Sequence, residues 1–337
     1  MMLSRQLKGA RQRGVAVLTV LLIVAIGASL AYALASQQAM IMAQSRHVLV
    51  GDALNDLLIG GEVLGRQILY KDHVEGIENP PQRDHLNEEW AQAVPPFEIP
   101  GGFIEIQIRD LHGCFNLNSI PTTATAATTT AEPGTILARE LFRLLDLEPG
   151  FHDLWFDWID ENSDVDRAGA EDNEYTGRDI PYRTPNRLAG HLSEARLISE
   201  MDPIQWQELQ QIACIAPEPT TLNVNTLRPA TLAFLSGTRP RDMSDEEREP
   251  EIPDYETADD FKSAHTSIDA DILTALTLAD VVSEYFEVHV RAELDGEQGA
   301  MVSTVHRDPN SGKIAVLGRD FSRRFVSSFS AIDQAAN

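Results

Sequence analysis

The densest group of side chains that could do chemistry lies in residues 157–179, where nine acidic residues accompany only two arginines. Closely spaced carboxylates suit Ca²⁺, because this hard cation prefers oxygen ligands. The stretch lacks the twelve-residue spacing of an EF-hand, and the ordinary alternative is a solvated acidic loop. The candidate calcium ligands defined by the sequence are Asp160, Asp164, Asp166, Glu171 and Asp172.

Catalysis finds no support in the motifs of this chain. Its nine histidines form no HExxH pair, and there is no GxSxG elbow or phosphate-binding Gly-Lys loop. Asp157 and Asp160 could act as an acid/base pair beside Trp155 and Trp158, as in sugar hydrolysis. Helical i,i+3 spacing beside aromatic residues is more typical of a capped, packed helix, so we do not expect an enzyme.

The two cysteines of the chain are Cys114 and Cys214. In an oxidising compartment an isolated pair most often forms a disulfide, and a long separation in sequence is no obstacle. The alternative is two buried free thiols, because the sequence does not give the geometry that a bridge requires. We expect the Cys114–Cys214 disulfide.

The compartment follows from the N-terminal segment, which has no charged residue between Arg13 and Arg46. Residues 15–35 are long enough to cross a bilayer, since about 20 apolar residues match a hydrocarbon core of about 30 Å. Basic residues precede this run and indicate a cytoplasmic N-terminus. The remainder of the chain is therefore expected on the far side of the membrane.

Three interpretations of this segment stay open on its own residues. It fits a cleaved secretory signal ending at Ala33-Leu34-Ala35, although the apolar run is longer than usual. It also fits an uncleaved signal anchor. The third interpretation is a type IV prepilin-like leader, cut after Gly14, which keeps the apolar helix on a mature protein that starts at Val15.

The formal net charge of −25 excludes one class of partner. Affinity for nucleic acid rests largely on neutralisation of phosphates by lysine and arginine, so we expect no nucleic-acid binding. Divalent metals, cationic surfaces and other proteins are the expected partners.

Sequence periodicity predicts an α+β protein. Helical spacing of apolar residues continues past the membrane segment to about Tyr70, and residues 104–108 alternate as in a half-buried strand. Residues 114–117 fit a short returning strand. A mostly helical block follows, with one helix capped by Asp202, and three antiparallel strands come after Glu284.

Strands on both sides of a helical block most simply belong to one sheet, with the block inserted between them. The alternative, three consecutive units, would leave two small sheets with exposed edges. We therefore predict a transmembrane part of the long helix (15–35), an α/β domain (36–120 and 284–337) and an inserted α-helical domain (121–283); residues 1–14 form a leader in the prepilin-like interpretation.

Two asparagine pairs look like matching elements, Asn116 with Asn118 and Asn223 with Asn225. We interpret them as turn and helix-cap residues whose side chains satisfy backbone groups. The second pair is also similar to the start of a helix-hairpin-helix DNA-binding module. The negative charge and the lack of a glycine-rich hairpin there argue against that interpretation.

Several blocks together resemble the K-type minor pseudopilins of type II secretion systems, the general secretion pathway protein K family. The resemblance covers nearly the whole chain and rests on RQRG before VAVLTVLLIVA, then DLHGCFNLNSI, FDWIDENSDVD, GAEDNEYTG, IPYRTPNRLAGHLSEARLI and TLNVNTLRPATLAFLSG. It favours the prepilin-like leader. It also implies a pilin-like fold and an insert that calcium stabilises.

For processing, the resemblance implies a prepilin peptidase cut after Gly14 and an amino terminus at Val15 that is usually N-methylated. Most pilin-like proteins have Glu at the fifth mature position, where this chain has Thr19. Without that carboxylate the subunit cannot pair with the terminal amine of a neighbour, and a buried charge needs such a partner. A bulky insert would also clash inside a shaft, so both features indicate the tip.

The function implied by the resemblance is to initiate and cap a periplasmic pseudopilus at the inner membrane. The partners would be other minor pseudopilins, of I and J type, packed through the apolar faces of the N-terminal helices. The alternative is a membrane-anchored periplasmic adaptor that binds secreted substrates through the helical insert.

Overall fold

The computed structural model describes residues 7–92, 95–121, 132–250 and 252–322, without the side chains of residues 7–14 and 277. The strands in these ranges are β1 (Phe97–Ile99), β2 (Gly102–Asp110), β3 (Phe115–Asn116), β4 (Ala213–Cys214), β5 (Leu222–Asn223), β6 (Ala279–Asp280), β7 (Tyr285–Leu294), β8 (Glu297–Arg307) and β9 (Ile314–Asp320). The α-helices are α1 (Leu7–Glu78), α2 (Pro133–Leu144), α3 (Phe151–Ile159), α4 (Asp172–Tyr175), α5 (Ala195–Ile198), α6 (Pro203–Ile212), α7 (Pro229–Leu235), α8 (Asp245–Arg248), α9 (Ala258–Ala264) and α10 (Ala270–Ala275).

Helix α1 is continuous over 72 residues, which is roughly 110 Å at about 1.5 Å per residue. The predicted end near Tyr70 lay two turns too early, because no proline interrupts the helix before Pro80. The stretch from Val15 to Glu78 contains an apolar window that is long enough to cross a membrane and is not buried by the rest of the chain. The apolar N-terminal half thus projects from the folded body.

Five strands form one antiparallel sheet in the order β1-β2-β7-β8-β9. Strands β2 and β7 pair from Gly102↔Leu294 to Asp110↔Phe286, so the chain leaves the sheet after Asp110 and rejoins it at Tyr285. The predicted insertion of a helical block between strands of one sheet is confirmed. The alternative of separate units with two small sheets is wrong.

The second half of α1 packs on one face of this sheet. Leu54, Leu58 and Leu69 of α1 share a core with the alternate apolar residues of β2, β7 and β8. Gly61 and Gly65 let the helix approach closely, since a Cβ at these positions would lie 2.5 Å from Val290 Cγ1 and 2.6 Å from Val288 Cγ1, respectively. The sheet therefore holds α1 along a stripe that begins near Val50.

The short strand predicted at residues 114–117 does not return to this sheet. Strand β3 pairs in parallel with β4, through Phe115↔Ala213 and Asn116↔Cys214. The chain turns immediately afterwards, because the Asn116 side chain accepts from Asn118 N and caps a 3₁₀ helix at Leu117–Ser119. The predicted strand is therefore present at Phe115–Asn116, but it pairs with β4 and does not return to the five-stranded sheet.

The insert has its own core, separate from the core under α1. Helix α6 has the predicted cap, with Asp202 Oδ1 accepting from Ile204 N and Gln205 N and with Pro203 at the first position. Residues 122–131 lie outside the described ranges, as do residues 1–6 of the leader. The domain boundaries given above stay predictions.

Candidate functional site

The acidic stretch, residues 157–179, begins in the last turn of α3 and continues past the C-terminus of this helix. This helix buries Trp155 and Trp158 on its apolar face, and Asp157 on the same helix is fully buried while Asp160 at its C-cap is 1% exposed. Glu171, eleven residues further on, is 4% exposed. Three carboxylates are thus withdrawn from water, which a solvated acidic loop would not do.

Backbone geometry fixes Asp157 in place. Both of its carboxylate oxygens accept from Asp166 N at 3.2 Å. A Cβ on Gly169 would lie 2.2 Å from Asp157 Oδ2, so the loop can close over this carboxylate only with glycine there. Asp157 is therefore part of the loop's interior, in a role we did not assign to it from the sequence.

Two buried carboxylate oxygens accept no hydrogen bond from the described part of the chain, Asp160 Oδ1 and Glu171 Oε1. Burial, followed by the charges of neighbouring acids, raises the pKa of Asp157 to about 7 and that of Asp160 to about 6. Burial also raises the pKa of Glu171. Such groups need either protons or a cation to balance their charge.

The remaining candidate ligands take different positions. Asp166 is half-buried, and Asp164 is exposed, with its backbone N donating to Asn162 Oδ1 at 2.7 Å. Asp172 Oδ1 accepts from Thr184 N and Thr184 Oγ1, both at 3.0 Å. Thr184 Oγ1 also lies 2.8 Å from Glu171 Oε2, so its single hydroxyl proton is shared between the two adjacent acids.

Sequence reasoning missed the polar residues that support the loop. Asn162 Nδ2 donates to Asp160 Oδ2 at 2.6 Å, and Asn186 Nδ2 donates to Ser163 Oγ at 3.0 Å. The amide and hydroxyl oxygens of such residues, rather than these Nδ2 groups, are the atoms that commonly complete a calcium site. Their positions two residues after Asp160 and well beyond the acidic run gave no local signal.

Within the described ranges, the closest approach of three carboxylates occurs elsewhere. Asp72, Asp84 and Glu88 each bring one oxygen within 4.8 Å of the other two, a criterion that the described residues of the acidic loop do not meet. The loop's candidate ligands are thus grouped but not drawn into a tight triad. The donor set of carboxylate, amide and hydroxyl oxygens still fits Ca²⁺.

The expected disulfide is present between Cys114 and Cys214, with a Cα–Cα distance of 5.8 Å and a sequence separation of 100 residues. The alternative of two free thiols is wrong. The bridge lies in a small cluster with Leu111, Ala216 and Tyr285. It joins the start of the insert to β4, beside the sheet.

The predicted processing site lies inside α1. Gly14 is within the helix, and its neighbour Val15 is 61% exposed. Thr19 Oγ1 donates to Ala16 O at 2.9 Å, so the hydroxyl is satisfied within its own helix. Position 19 therefore presents no charge at the helix surface.

Comparisons with known proteins agree on one family. A family model for type II secretion system protein K matches residues 113–218. The type II secretion system protein K of Klebsiella pneumoniae is 32% identical over 69% of this chain and 72% of its own length. The Pseudomonas aeruginosa protein of the same name is 29% identical over 93% of each chain.

A solved structure has the same fold. The match is to a chain in the crystal structure of the GspK-GspI-GspJ complex from the enterotoxigenic Escherichia coli type 2 secretion system. The TM-score is 0.68 with 25% sequence identity, over 83% of this chain and all of that chain.

The long apolar helix, the antiparallel sheet under its second half and the helical block between β2 and β7 define a pilin-like protein with a large insert. The chain belongs to the type II secretion system protein K family, and it is a minor pseudopilin of such a system. The comparisons do not favour the alternative of a cargo-binding adaptor.

Proposed function

We propose that this minor pseudopilin initiates and caps the tip of a periplasmic pseudopilus together with I- and J-type minor pseudopilins. One observation carries this proposal: the chain leaves the sheet after Asp110 and returns at Tyr285. The insert between these points therefore lies beside the sheet on which α1 packs, with a core of its own. A neighbour can pack along α1, but a subunit of this width is suited to the end of a filament. The solved relative was crystallised in a GspK-GspI-GspJ complex, which supports the choice of partners.

The proposed topology places the N-terminus in the cytoplasm and the folded body in the periplasm. Prepilin peptidase would cut after Gly14 and expose the amine of Val15 for methylation. Thr19 supports the tip position, because its hydroxyl is bonded within α1 and offers no carboxylate to the amine of a neighbouring subunit. A charged amine buried among apolar helices is unfavourable without such a partner.

Calcium is proposed as a structural ligand of the acidic loop. Asp160, Glu171 and Asp172 would hold the ion, with Asp164 and Asp166 contributing from the more exposed side of the loop. The buried oxygens Asp160 Oδ1 and Glu171 Oε1 support this assignment, because neither has a described hydrogen-bond donor. The ion would supply positive charge that lets the three buried carboxylates ionise together.

The proposed role is structural and not catalytic. Asp157 and Asp160, considered above as an acid/base pair, belong to the interior of the acidic loop. Contacts with secreted substrates could add to the tip function through the exposed side of the insert. The large excess of acidic residues argues against nucleic acid as a partner.

The test begins with the N-terminal mass of the protein, expressed with and without prepilin peptidase. We expect a peptidase-dependent start at Val15, and a Gly14→Val variant that stays uncut. A start at Ser36, or an uncut chain in both strains, would refute the pseudopilin processing.

The tip role is tested by co-expression with I- and J-type partners. Deleting residues 122–280 should abolish assembly of the partner helices into a capped tip, whereas intact assembly with lost binding of secreted substrates would favour the adaptor. The matched control is Asp259→Asn, at a side chain of the insert that is 88% exposed, which should behave as the parent. Incorporation of the full-length protein along the shaft would contradict the proposal.

A further inference from the structure

A second acidic cluster lies far from the acidic loop, where the end of α1 meets the segment that follows it. Asp72 on α1 and Asp84 and Glu88 on that segment each place one carboxylate oxygen within 4.8 Å of the other two. The guanidinium of Arg307 on β8, whose side chain is 1% exposed, donates to Asp72 Oδ2 at 2.8 Å and also to Asp84 Oδ1. One buried cation therefore binds two of the three acids directly.

The other cations near the cluster are paired with other acids. Lys71 Nζ contacts Glu75 at 3.7 Å and also binds Glu89, and Arg83 Nε lies 2.7 Å from Asp254 of the insert. The further titratable groups around the cluster are His73 on α1, His85 on the following segment, and Asp308 after β8. His85 Nε2 lies 3.7 Å from Glu88 Oε1 and 3.9 Å from Asp254 Oδ2.

Ionisation of the whole cluster would place two net negative charges in a poorly solvated site. The exposed fractions of the side chains are 12% for Asp72, 2% for Asp84 and 20% for Glu88. Burial first, and then the charges of Glu88 and Asp84, raise the pKa of Asp72 to about 7. Burial also raises the pKa of Glu88. Two acids as close as Asp72 and Glu88 titrate as a pair.

The segment that carries two of these acids, residues 83–90, ties the insert to the body, and we call it the strap. Asp84 N donates to Val281 O at 2.8 Å, and Ser283 N donates to Asp84 Oδ2 at 2.7 Å. Ser283 Oγ in turn donates to Asp110 Oδ2 at 2.6 Å. The strap is thus hydrogen-bonded to Val281 and Ser283, where the chain returns from the insert. Ser283 links the strap to Asp110, where the chain leaves the sheet.

The far end of the strap is fixed by an aromatic contact and by Glu88. The Trp90 ring meets the Phe286 ring edge-on at 5.4 Å between centroids. Trp90 Nε1 donates to Glu88 Oε2 at 2.7 Å, and His85 N donates to the same oxygen at 2.9 Å. Repulsion between Asp72 and Glu88 would therefore act directly on a contact that holds the strap to the sheet.

We propose that Asp72 and Glu88, packed beside Asp84 and Arg307, share one proton, and that this proton holds the strap against α1. When the proton is lost, the carboxylates of α1 and the strap repel each other and the strap loosens. The attachment of the insert to the sheet then weakens. The cluster is a proton-sensitive latch at the junction of the two parts of the chain.

The direction of the pH dependence follows from the raised pKa values of Asp72 and Glu88. A carboxyl whose pKa is higher in the folded chain stabilises the closed state fully below its unfolded pKa of about 4, and this stability is lost as the pH rises through the folded value. For one group the closed-to-open ratio falls by about tenfold per pH unit between these limits. The strap should therefore be most firmly closed near pH 4 and loosen as the pH rises to about 7.

The test is amide hydrogen exchange of the strap in the full-length protein in detergent, with Ca²⁺ held at saturation. After correction for intrinsic exchange, we expect protection of residues 84–90 to fall by up to about 100-fold between pH 5 and pH 7 in the parent. An Asp72→Asn variant keeps an acceptor for Arg307 but cannot ionise, so its protection should be nearly constant. Glu75→Gln, at a side chain 58% exposed on the same helix, should follow the parent.

A second variant covers the case in which Asp72→Asn fails to fold. Glu88→Gln keeps an oxygen for Trp90 and His85 and should also flatten the pH profile. Parallel profiles for the parent and both variants would overturn the proposal. A difference between parent and variants that depends on Ca²⁺ concentration but not on pH would overturn it as well, because the cluster would then be a cation site.

Discussion

Asn118 and Ala189 exchange two hydrogen bonds although 71 residues separate them. Asn118 Nδ2 donates to Ala189 O and Ala189 N donates to Asn118 Oδ1, each at 2.9 Å. Asn225 forms the same pair with Tyr255, at 3.0 and 2.9 Å. The interpretation of these asparagines as residues that satisfy backbone groups is confirmed. The same reciprocal pair of hydrogen bonds occurs at two places in the insert.

Asn118→Ala should destabilise the insert by about 3 kcal/mol. Asn118 Nδ2 also donates to Ala216 O at 2.8 Å, and removal leaves several buried backbone groups unsatisfied at about 1–3 kcal/mol each. Chemical denaturation measures the change. The exposed Asn87 provides the control, since Asn87→Ala should stay within about 0.5 kcal/mol of the parent. Equal losses in both variants would contradict the assignment.

Replacing both cysteines by alanine should cost about 2–5 kcal/mol, the usual loss for a native disulfide. The bridge closes a loop across 100 residues, so its removal frees much of the unfolded insert. Urea unfolding of the double variant, compared with the oxidised parent, measures the loss. Reduction of the parent should give the same result, and an unchanged midpoint in either experiment would refute a stabilising role.

Removal of calcium should lower the melting temperature, by an amount that depends on pH. In the calcium-free protein, Asp157 and Asp160 have folded pKa values of about 7 and about 6, above their unfolded values. Stability from these protonated groups is present below about pH 4 and is lost as the pH rises through the folded values. The calcium-dependent gain should therefore be larger at pH 7.5 than at pH 5, as calorimetric scans with and without chelator would record.

The ligand assignment predicts a graded set of variants. Calcium at 100-fold excess over its Kd stabilises a folded protein by about 2.7 kcal/mol, and Asp160→Asn and Glu171→Gln should remove most of this gain. Asp164→Asn should have a smaller effect because the side chain is exposed. Asp259→Asn serves as the control at an exposed acid outside the loop. Calorimetry without Ca²⁺ binding to the parent would refute the site.

Two adjacent glycines of α1 should respond in opposite directions to alanine. Gly61→Ala places a methyl group 2.5 Å from Val290 Cγ1, and overpacking of this kind typically costs about 1–3 kcal/mol. Gly60 has no neighbour within 4 Å, so Gly60→Ala should stabilise the helix by about 1 kcal/mol. Thermal unfolding of the two variants compares them directly, and equal shifts would contradict the close packing of α1 on the sheet.

Local periodicity predicted much of the fold. The apolar run before Arg46, the alternation in β2 and the three C-terminal strands are patterns within a few residues, and each reflects one face of one element. The order of the elements along the chain then predicted the insertion. Strands on both sides of a helical block in one small domain most simply pair in one sheet. The cap at Asp202 was also readable, since its partner Gln205 is three residues away.

The sequence by itself indicated an apolar helix long enough to cross a membrane, the class of fold, the family and the candidate acids. Only the tertiary structure decided that β3 pairs with β4, that Asp157 is buried, and that Arg307 lies between Asp72 and Asp84. The physical reason is distance along the chain. The hydrogen bonds from Arg307 to Asp72 and Asp84 span 235 and 223 residues. Contacts of this range depend on how the sheet, α1 and the insert come together, which no local pattern of residue types records.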